Sequence, residues 1–276
     1  MNTSDVLASV ERWGSEAAAG WCTITGEGSK GDTDKVFPWA SVTKLVTSAA
    51  VWVAVEEGTV GWDDPAGPPG ATLRHVLSHA SGLSPDSDRV LAPPGRRRIY
   101  SNRGIEVAAE HVARASGMEF AEYAREAVVA PLGMASMEIT GSPASAGQGS
   151  LTDLLRLARE LLSATLVSRA TLDLARSVAF PGLSGVLPGF GRQEPNDWGL
   201  GVEIRGLKHP HWTGRLNSPQ TFGHFGQSGA FLWVDPEAGL ALASLSDRPF
   251  GEWAMAAWPA LADAVLEAHG RTSGAP

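Results

Sequence analysis

Ser41 and Lys44 stand three residues apart in the segment VFPWASVTKLVTSAAVWVAVEEGTV, residues 36–60. Lysine is scarce: Lys30, Lys35, Lys44 and Lys208 are all the chain has. A charged ammonium at the head of a mostly apolar run is unfavourable unless something uses it. On a helix, positions i and i+3 share a face, with Cβ atoms ~5–6 Å apart. A serine hydroxyl is a weak nucleophile until a base takes its proton, and a neutral lysine is such a base. Neutrality near pH 7.5 requires lowering the lysine pKa from ~10.4 by about 3 units, or about 4 kcal/mol. Burial and a neighbouring cation or proton donor supply shifts of that size. A serine in the first turn also has free N–H groups and the positive end of the helix dipole beside it. The same spacing arises wherever a serine caps a helix and a lysine reaches solvent, so the pair alone leaves both readings open.

Two further stretches bear on the choice. Tyr100, Ser101 and Asn102 form YSN after the loop-like PPGRRR. A phenol can relay a proton between nucleophile and leaving group, and an asparagine amide can hold a substrate carbonyl and a lysine together. Ser101 or Asn102 can equally cap a following helix. The third stretch is HFGQSG, 224–229, where Gly226 in a strand would allow close approach of a ligand. A strand-edge N–H facing the first turn at Ser41 would complete an oxyanion hole.

Other constellations carry less. His75 and His79 have the i, i+4 spacing of a helical zinc site, but no third ligand is apparent, and no metal or organic cofactor is expected. HPH at 209–211 reads as an exposed loop, and Arg96, Arg97 and Arg98 as a solvated face. Trp39, Trp198, Trp212 and Trp233 flank the site segments, some as candidates for an apolar acyl pocket and most as core or rim. G-x-S-x-G and H-E-x-x-H are absent, as is a P-loop, which disfavours α/β-hydrolase and zincin readings.

The elements that must position these groups follow from periodicity and breakers. Residues 4–18 read as an amphipathic helix, 20–25 as a strand, and 41–57 as a helix ended by Gly58. TLRHVLSHA, 103–116, 119–130 and SLTDLLRLARELLSA also read as helical. After residue 180 glycine, proline and tryptophan become frequent, and GLGVEIRG, TFGHFGQSG, AFLWVD and LALASLSD read as strands before a last helix at about 251–268. The pattern is α+β with a helical insertion. We expect one domain over 1–276, with an α/β part at about 1–60 and 190–276 and a helical part at about 61–189.

The 276 residues suffice for a sizeable core. The net charge of −8 disfavours nucleic acid or an anionic membrane surface as partner. Cys22 is the single cysteine, so no intrachain disulfide forms. The amino-terminal MNTSDVLASVERWGSE lacks signal-peptide character, and no apolar stretch approaches a membrane span. A cytoplasmic address and a small-molecule or peptide substrate are expected; oligomeric state is open.

SVTK, YSN and HFG, in that order, resemble the signature of the serine β-lactamase and penicillin-binding-protein superfamily. ATLRHVLSHASGL, GSLTDLLRLAREL, DWGLGVEI and GQSGAFLWVDPEAGLALASLSD are similar to neighbouring family segments. The likeness spans roughly residues 36–248 and leans toward class C β-lactamases, D-alanyl-D-alanine carboxypeptidases and related esterases. It implies an antiparallel sheet flanked by helices with a mainly helical subdomain. By the same resemblance, Ser41 is the nucleophile, Lys44 its base or relay, and Tyr100 the second acid/base group. Asn102 contacts substrate and lysine, His224 takes the triplet's first place beside Gly226, and the Ser41 and Gln227 N–H groups form the oxyanion hole. An acyl-enzyme on Ser41, made from an ester or amide and cleaved by water, is the implied reaction, with a β-lactamase or D-Ala peptidase and a non-catalytic binder as alternatives.

Two departures from the family pattern shape the expectations. Histidine stands where the triplet usually has lysine, and with a reference pKa of ~6.5 it is mostly neutral at pH 7.5. That shifts the balance toward esters and neutral amides. The stretch before Ser41 is short, so the sheet is expected to lack an edge strand and the cleft rim to be more open.

Overall fold

A computed structural model describes residues 6–14 and 16–269. Residues 4, 5 and 15 of the expected first helix lie outside them. Val6–Arg12 forms a single 3-10 helix rather than an amphipathic α-helix. It stops at Gly14, which has φ +70°, and Ala17 and Ala18, also expected to be helical, belong to the first strand.

The strands are β1 (Ala17–Cys22), β2 (Glu27–Lys30), β3 (Phe37–Pro38), β4 (Glu138–Ile139), β5 (Gly147–Gly149), β6 (Gly185–Leu187), β7 (Gly191–Gln193), β8 (Glu203–Ile204), β9 (Phe222–Gly226), β10 (Ala230–Asp235) and β11 (Leu240–Ser246). The helices are α1 (Thr43–Glu56), α2 (Leu73–Leu77), α3 (Asn102–Ser116), α4 (Phe120–Ala124), α5 (Leu151–Leu162), α6 (Arg169–Ala175) and α7 (Glu252–His269). The helix expected at 119–130 continues from α4 as one π turn, Arg125–Val129.

The main sheet has the order β2-β1-β11-β10-β9-β8, with every neighbouring pair antiparallel. Its inner strands read as nearly continuous apolar runs because both faces are covered. Alternate side chains part to opposite sides. Ala18, Cys22, Leu232, Val234, Ala241, Ala243 and Leu245 share a core with α1 and α5. Ala19, Trp21, Phe231, Trp233, Leu240 and Leu242 share another with α7 and the amino-terminal 3-10 helix. The fold is thus α+β, an antiparallel sheet flanked by helices.

The expectation of a missing edge strand is corrected. β2 pairs with β1 from Cys22↔Glu27 to Ala19↔Lys30. Its sequence, EGSK, is half exposed and has no apolar residue, as an edge strand facing water permits, so hydrophobic patterning does not reveal it. At the other edge GLGVEIRG shortens to the two residues of β8.

Candidate active site

The expected helix at 41–57 begins two residues later than its pattern suggests. Ala40–Val42 forms a 3-10 turn, and α1 starts at Thr43. Ala40 has φ +45°, a sparsely populated conformation for a residue with a Cβ. Ser41 sits on this turn, and the turn lies against β9. A Cβ built on Gly226 would stand 2.4 Å from Trp39 O and 3.2 Å from Ser41 N. Glycine is what lets the strand backbone approach the Ser41 amide so closely.

Lys44 is fully buried. Its Nζ lies 2.7 Å from Asn102 Oδ1, 2.8 Å from Ala144 O and 3.2 Å from Ser41 Oγ. Burial lowers its pKa from 10.5 to about 7, against a weaker upward pull from Asp86 and Glu106. A neutral amine has two N–H donors and one lone pair. The two short contacts are to oxygens that only accept, which leaves the lone pair for the Ser41 hydroxyl proton.

Tyr100 also reaches Ser41, its hydroxyl donating to Ser41 Oγ at 2.9 Å. Burial raises its pKa, with the Ser41 bond opposing, so it stays a phenol. The Lys44 ammonium position is 4.9 Å from the Tyr100 ring centroid. Ser101 caps α3 by accepting the Gly104 N–H at 2.9 Å, and this frees Asn102 to face Lys44. One residue of YSN thus caps α3 while the other two face Ser41 and Lys44. Asn102 Nδ2 also donates to Asp86 Oδ1 at 2.8 Å.

His224 on β9 is buried. Its Nδ1 donates to Phe225 O at 2.7 Å, so Nε2 carries the lone pair, 3.5 Å from the Tyr100 hydroxyl. Burial and then the Lys44 charge lower its pKa to about 3. The histidine is a neutral acceptor, not a cation.

Ser41, Tyr100, Pro188 and Gln227 line two adjoining spaces. One is a small recess completed by Leu187, Trp198, Glu203, His224 and Phe225. The other is a larger, more open cleft that includes Asp86, Arg97, Asn102, Val186 and Arg192. The structure thus brings Ser41, Lys44, Tyr100, Asn102, His224, Gly226 and Gln227 to one place. Of the four flanking tryptophans, Trp198 lines the recess. Trp212 and Trp233 lie in the core under α7, and Trp39 is buried with its Nε1 donating to Gly149 O at 3.0 Å.

Several sequence expectations need correction. Arg98 is not on a solvated face: it is 3% exposed. Its guanidinium donates to Asn196 O at 3.1 Å, Ser78 O at 2.7 Å, Phe180 O at 3.1 Å and, very closely, Ala179 O. It ties three loops together behind Tyr100. His211 of HPH is buried, not exposed. Its Nε2 donates to Glu203 Oε2 at 3.0 Å, and Glu203 also receives Trp212 Nε1 at 3.0 Å and the buried Lys208. Burial alone would raise the Glu203 pKa, but His211 and Lys208 outweigh it and hold the carboxylate ionised. His75 and His79 do not converge. His75 Nδ1 accepts the Thr72 N–H at 3.2 Å, and His79 Nδ1 accepts the Ser101 N–H at 3.1 Å. Among the described residues no cluster of three His, Cys, Asp or Glu could hold a metal, and no helix is long and apolar enough to cross a membrane.

The sheet, its helices and the serine-bearing turn define a beta-lactamase-like fold. The chain belongs to the beta-lactamase family, whose model matches residues 9–267. A solved beta-lactamase from Mycobacterium bovis is 51% identical, with a TM-score of 0.95 over 96% of this chain and 99% of that one. A D-alanyl-D-alanine-carboxypeptidase/endopeptidase, AmpH of Escherichia coli, is 28% identical over 44% of this chain, and the match covers 41% of that relative's length. Simvastatin synthase of Aspergillus terreus shares the fold at 17% identity, with a TM-score of 0.78 over 97% of this chain and 94% of that one. Peptidase, synthase and beta-lactamase names thus all occur among proteins similar to this chain, and the family supports hydrolase activity in general.

Proposed function

We propose that the protein is a serine hydrolase that forms an acyl-enzyme on Ser41 and cleaves an ester or amide of a small molecule or peptide. The observation that carries this reading is the pairing of Lys44 Nζ with Ser41 Oγ at 3.2 Å while two acceptor oxygens occupy its other bonds. Lys44 takes the Ser41 proton as Oγ attacks the carbonyl carbon. The N–H groups of Ser41 and Gln227 receive the developing oxyanion. Tyr100 gives its proton to the leaving oxygen or nitrogen, and the Lys44 ammonium then restores the phenol. Water repeats the sequence on the acyl-enzyme, returning Ser41 and releasing the acid. The neutral His224 supports esters and neutral amides as substrates.

A second reading, a β-lactamase or D-Ala peptidase, is favoured by the 51% identical relative from Mycobacterium bovis that carries the name beta-lactamase. The two separate on a shared assay. The protein is incubated with p-nitrophenyl acetate and with nitrocefin, turnover is recorded, and intact mass locates the adduct. An acyl adduct on Ser41 with ester turnover well above nitrocefin turnover is expected. Nitrocefin turnover equal to or above ester turnover favours the second reading. Folded protein with no Ser41 adduct from either compound, or from a fluorophosphonate, defeats both and leaves a non-catalytic binding protein.

A further inference from the structure

Tyr100 sits on a loop, between the turn at Gly95 and the start of α3 at Asn102, so no helix or strand of its own fixes its hydroxyl. One residue grips the loop on both sides of it. The carbonyl of His79 accepts the Ile99 N–H at 2.9 Å. The Nδ1 of the same histidine accepts the Ser101 N–H at 3.1 Å. These are the amides immediately before and after Tyr100. The His79 ring also lies against the Tyr100 ring, with centroids 4.7 Å apart, and meets Trp198 edge-on at 4.4 Å and 86°.

The grip depends on one protonation state. An Nδ1 that accepts a hydrogen bond carries no proton, so the neutral ring has its proton on Nε2. His79 is 1% exposed, and burial, reinforced by Lys44, His224 and Arg98, keeps its pKa well below the ordinary histidine value. Nε2 is buried and has no nitrogen or oxygen partner. The ring as a whole packs against Tyr100 and Trp198, and aromatic faces accept an N–H only weakly. The backbone is unusual too: His79 has φ +58°, a left-handed conformation in which histidine, asparagine and aspartate are over-represented among residues with a Cβ. A buried polar ring with an orphan N–H, held in a rare backbone conformation, is a poor choice for packing alone.

We propose that His79 is the positioning residue of Tyr100, holding the phenol on Ser41 through a two-sided clamp on its flanking amides. The inference rests on the reading of Tyr100 as the proton donor. His79 lines neither substrate space itself; besides Tyr100 its ring meets Trp198, which lines the recess, and the Tyr100→Phe background separates the two routes.

The test is a set of variants assayed with p-nitrophenyl acetate, each with its urea midpoint measured. His79→Asn places Oδ1 where Nδ1 stood and tolerates the backbone. His79→Gln carries the same amide one bond too far, and His79→Phe keeps a ring without the acceptor. The expected result is kcat within about threefold of wild type for Asn and about 10–100-fold lower for Gln and Phe, the scale of a misplaced proton donor. KM changes little. In the Tyr100→Phe background the same His79 substitutions lower kcat less than about twofold further, because coupled residues are not additive. Equal losses for Asn, Gln and Phe, or equal losses with and without the Tyr100 hydroxyl, overturn the proposal and leave His79 as packing. The Asn–Gln comparison decides the matter even if the Phe variant does not fold. A Tyr100→Phe protein at wild-type rate removes instead the reading on which the inference rests.

Discussion

Tyr100 donates its hydroxyl hydrogen bond to Ser41 Oγ at 2.9 Å, while Lys44 Nζ meets the same oxygen at 3.2 Å. The two groups are held in different protonation states. Burial lowers Lys44 to about 7 and raises Tyr100 above the ordinary phenol range. A base must be unprotonated to act, so kcat/KM for p-nitrophenyl acetate should rise with pH through a single limb with a midpoint near 7. It should then stay level past pH 9, because the phenol keeps its proton. Lys44→Ala and Tyr100→Phe should each lower kcat by ~10²–10⁴-fold, the span of a lost acid–base group. A limb placed near pH 10, with no inflection near 7, would make the phenolate the base and invert these roles.

The same lysine makes a prediction about stability. Its folded pKa is about 7 against 10.5 in the ordinary state. Between those values the unfolded chain binds a proton that the folded chain does not, so ν_U exceeds ν_N and stability rises with pH across that window. Below pH 7 the full penalty applies, at most about 5 kcal/mol for 3 to 4 units at 1.36 kcal/mol each. Lys44→Met removes this term but orphans Asn102 Oδ1 and Ala144 O, at ~1–3 kcal/mol each. Urea unfolding should therefore show the stability difference between Lys44→Met and wild type moving in favour of wild type from pH 7 to pH 10. A difference independent of pH would mean that the folded lysine titrates as it does in water.

Chemistry-bearing residue types in sequence order made much of the site legible. The Ser41–Lys44 spacing leaves two readings open by itself and gains weight from the resemblance that YSN and HFG complete, and the strands AFLWVD and LALASLSD show by their apolar runs. What was illegible depends on partners remote in the chain. Arg98 reads as one of three solvated arginines because its acceptors are carbonyls at residues 78, 179, 180 and 196, and backbone carbonyls have no residue type. His211 is buried by Glu203 and Lys208, a pairing that no periodicity encodes. The strand EGSK is missed because an edge facing water needs no hydrophobic side chain. His79 shows up in the sequence only as half of an i, i+4 histidine pair with no third metal ligand, and nothing in that spacing signals its hold on the Tyr100 loop.

Gly226 should be intolerant of any side chain. The added methyl of Gly226→Ala would lie 2.4 Å from Trp39 O and 3.1 Å from Ala40 Cβ, so β9 or the turn at Ser41 must move. Both bear on the geometry at the Ser41 N–H. The expected loss in kcat is ~10²–10³-fold, that of a removed oxyanion donor, with the thermal midpoint lowered by the overpacking as well. Unchanged kcat in a folded Ala variant would show that the approach of strand to turn does not set the rate.

His224→Lys addresses substrate choice. The wild-type ring is neutral, held near a pKa of about 3 by burial and by Lys44, and its Nδ1 proton is committed to Phe225 O. A lysine here brings a cation toward the cleft and toward Lys44. Two consequences follow from the same charge. Nitrocefin carries a carboxylate and p-nitrophenyl acetate does not, so the ratio of their kcat/KM values should rise by ~10-fold, equivalent to about 1.4 kcal/mol of discrimination. Like charge disfavours protonation of Lys44, so the acid limb of ester hydrolysis should move below 7. A changed ratio with an unmoved limb would place the new ammonium in solvent, away from Lys44. If neither quantity changes, position 224 does not choose between neutral and anionic substrates, and the neutral histidine ceases to support the preference for esters.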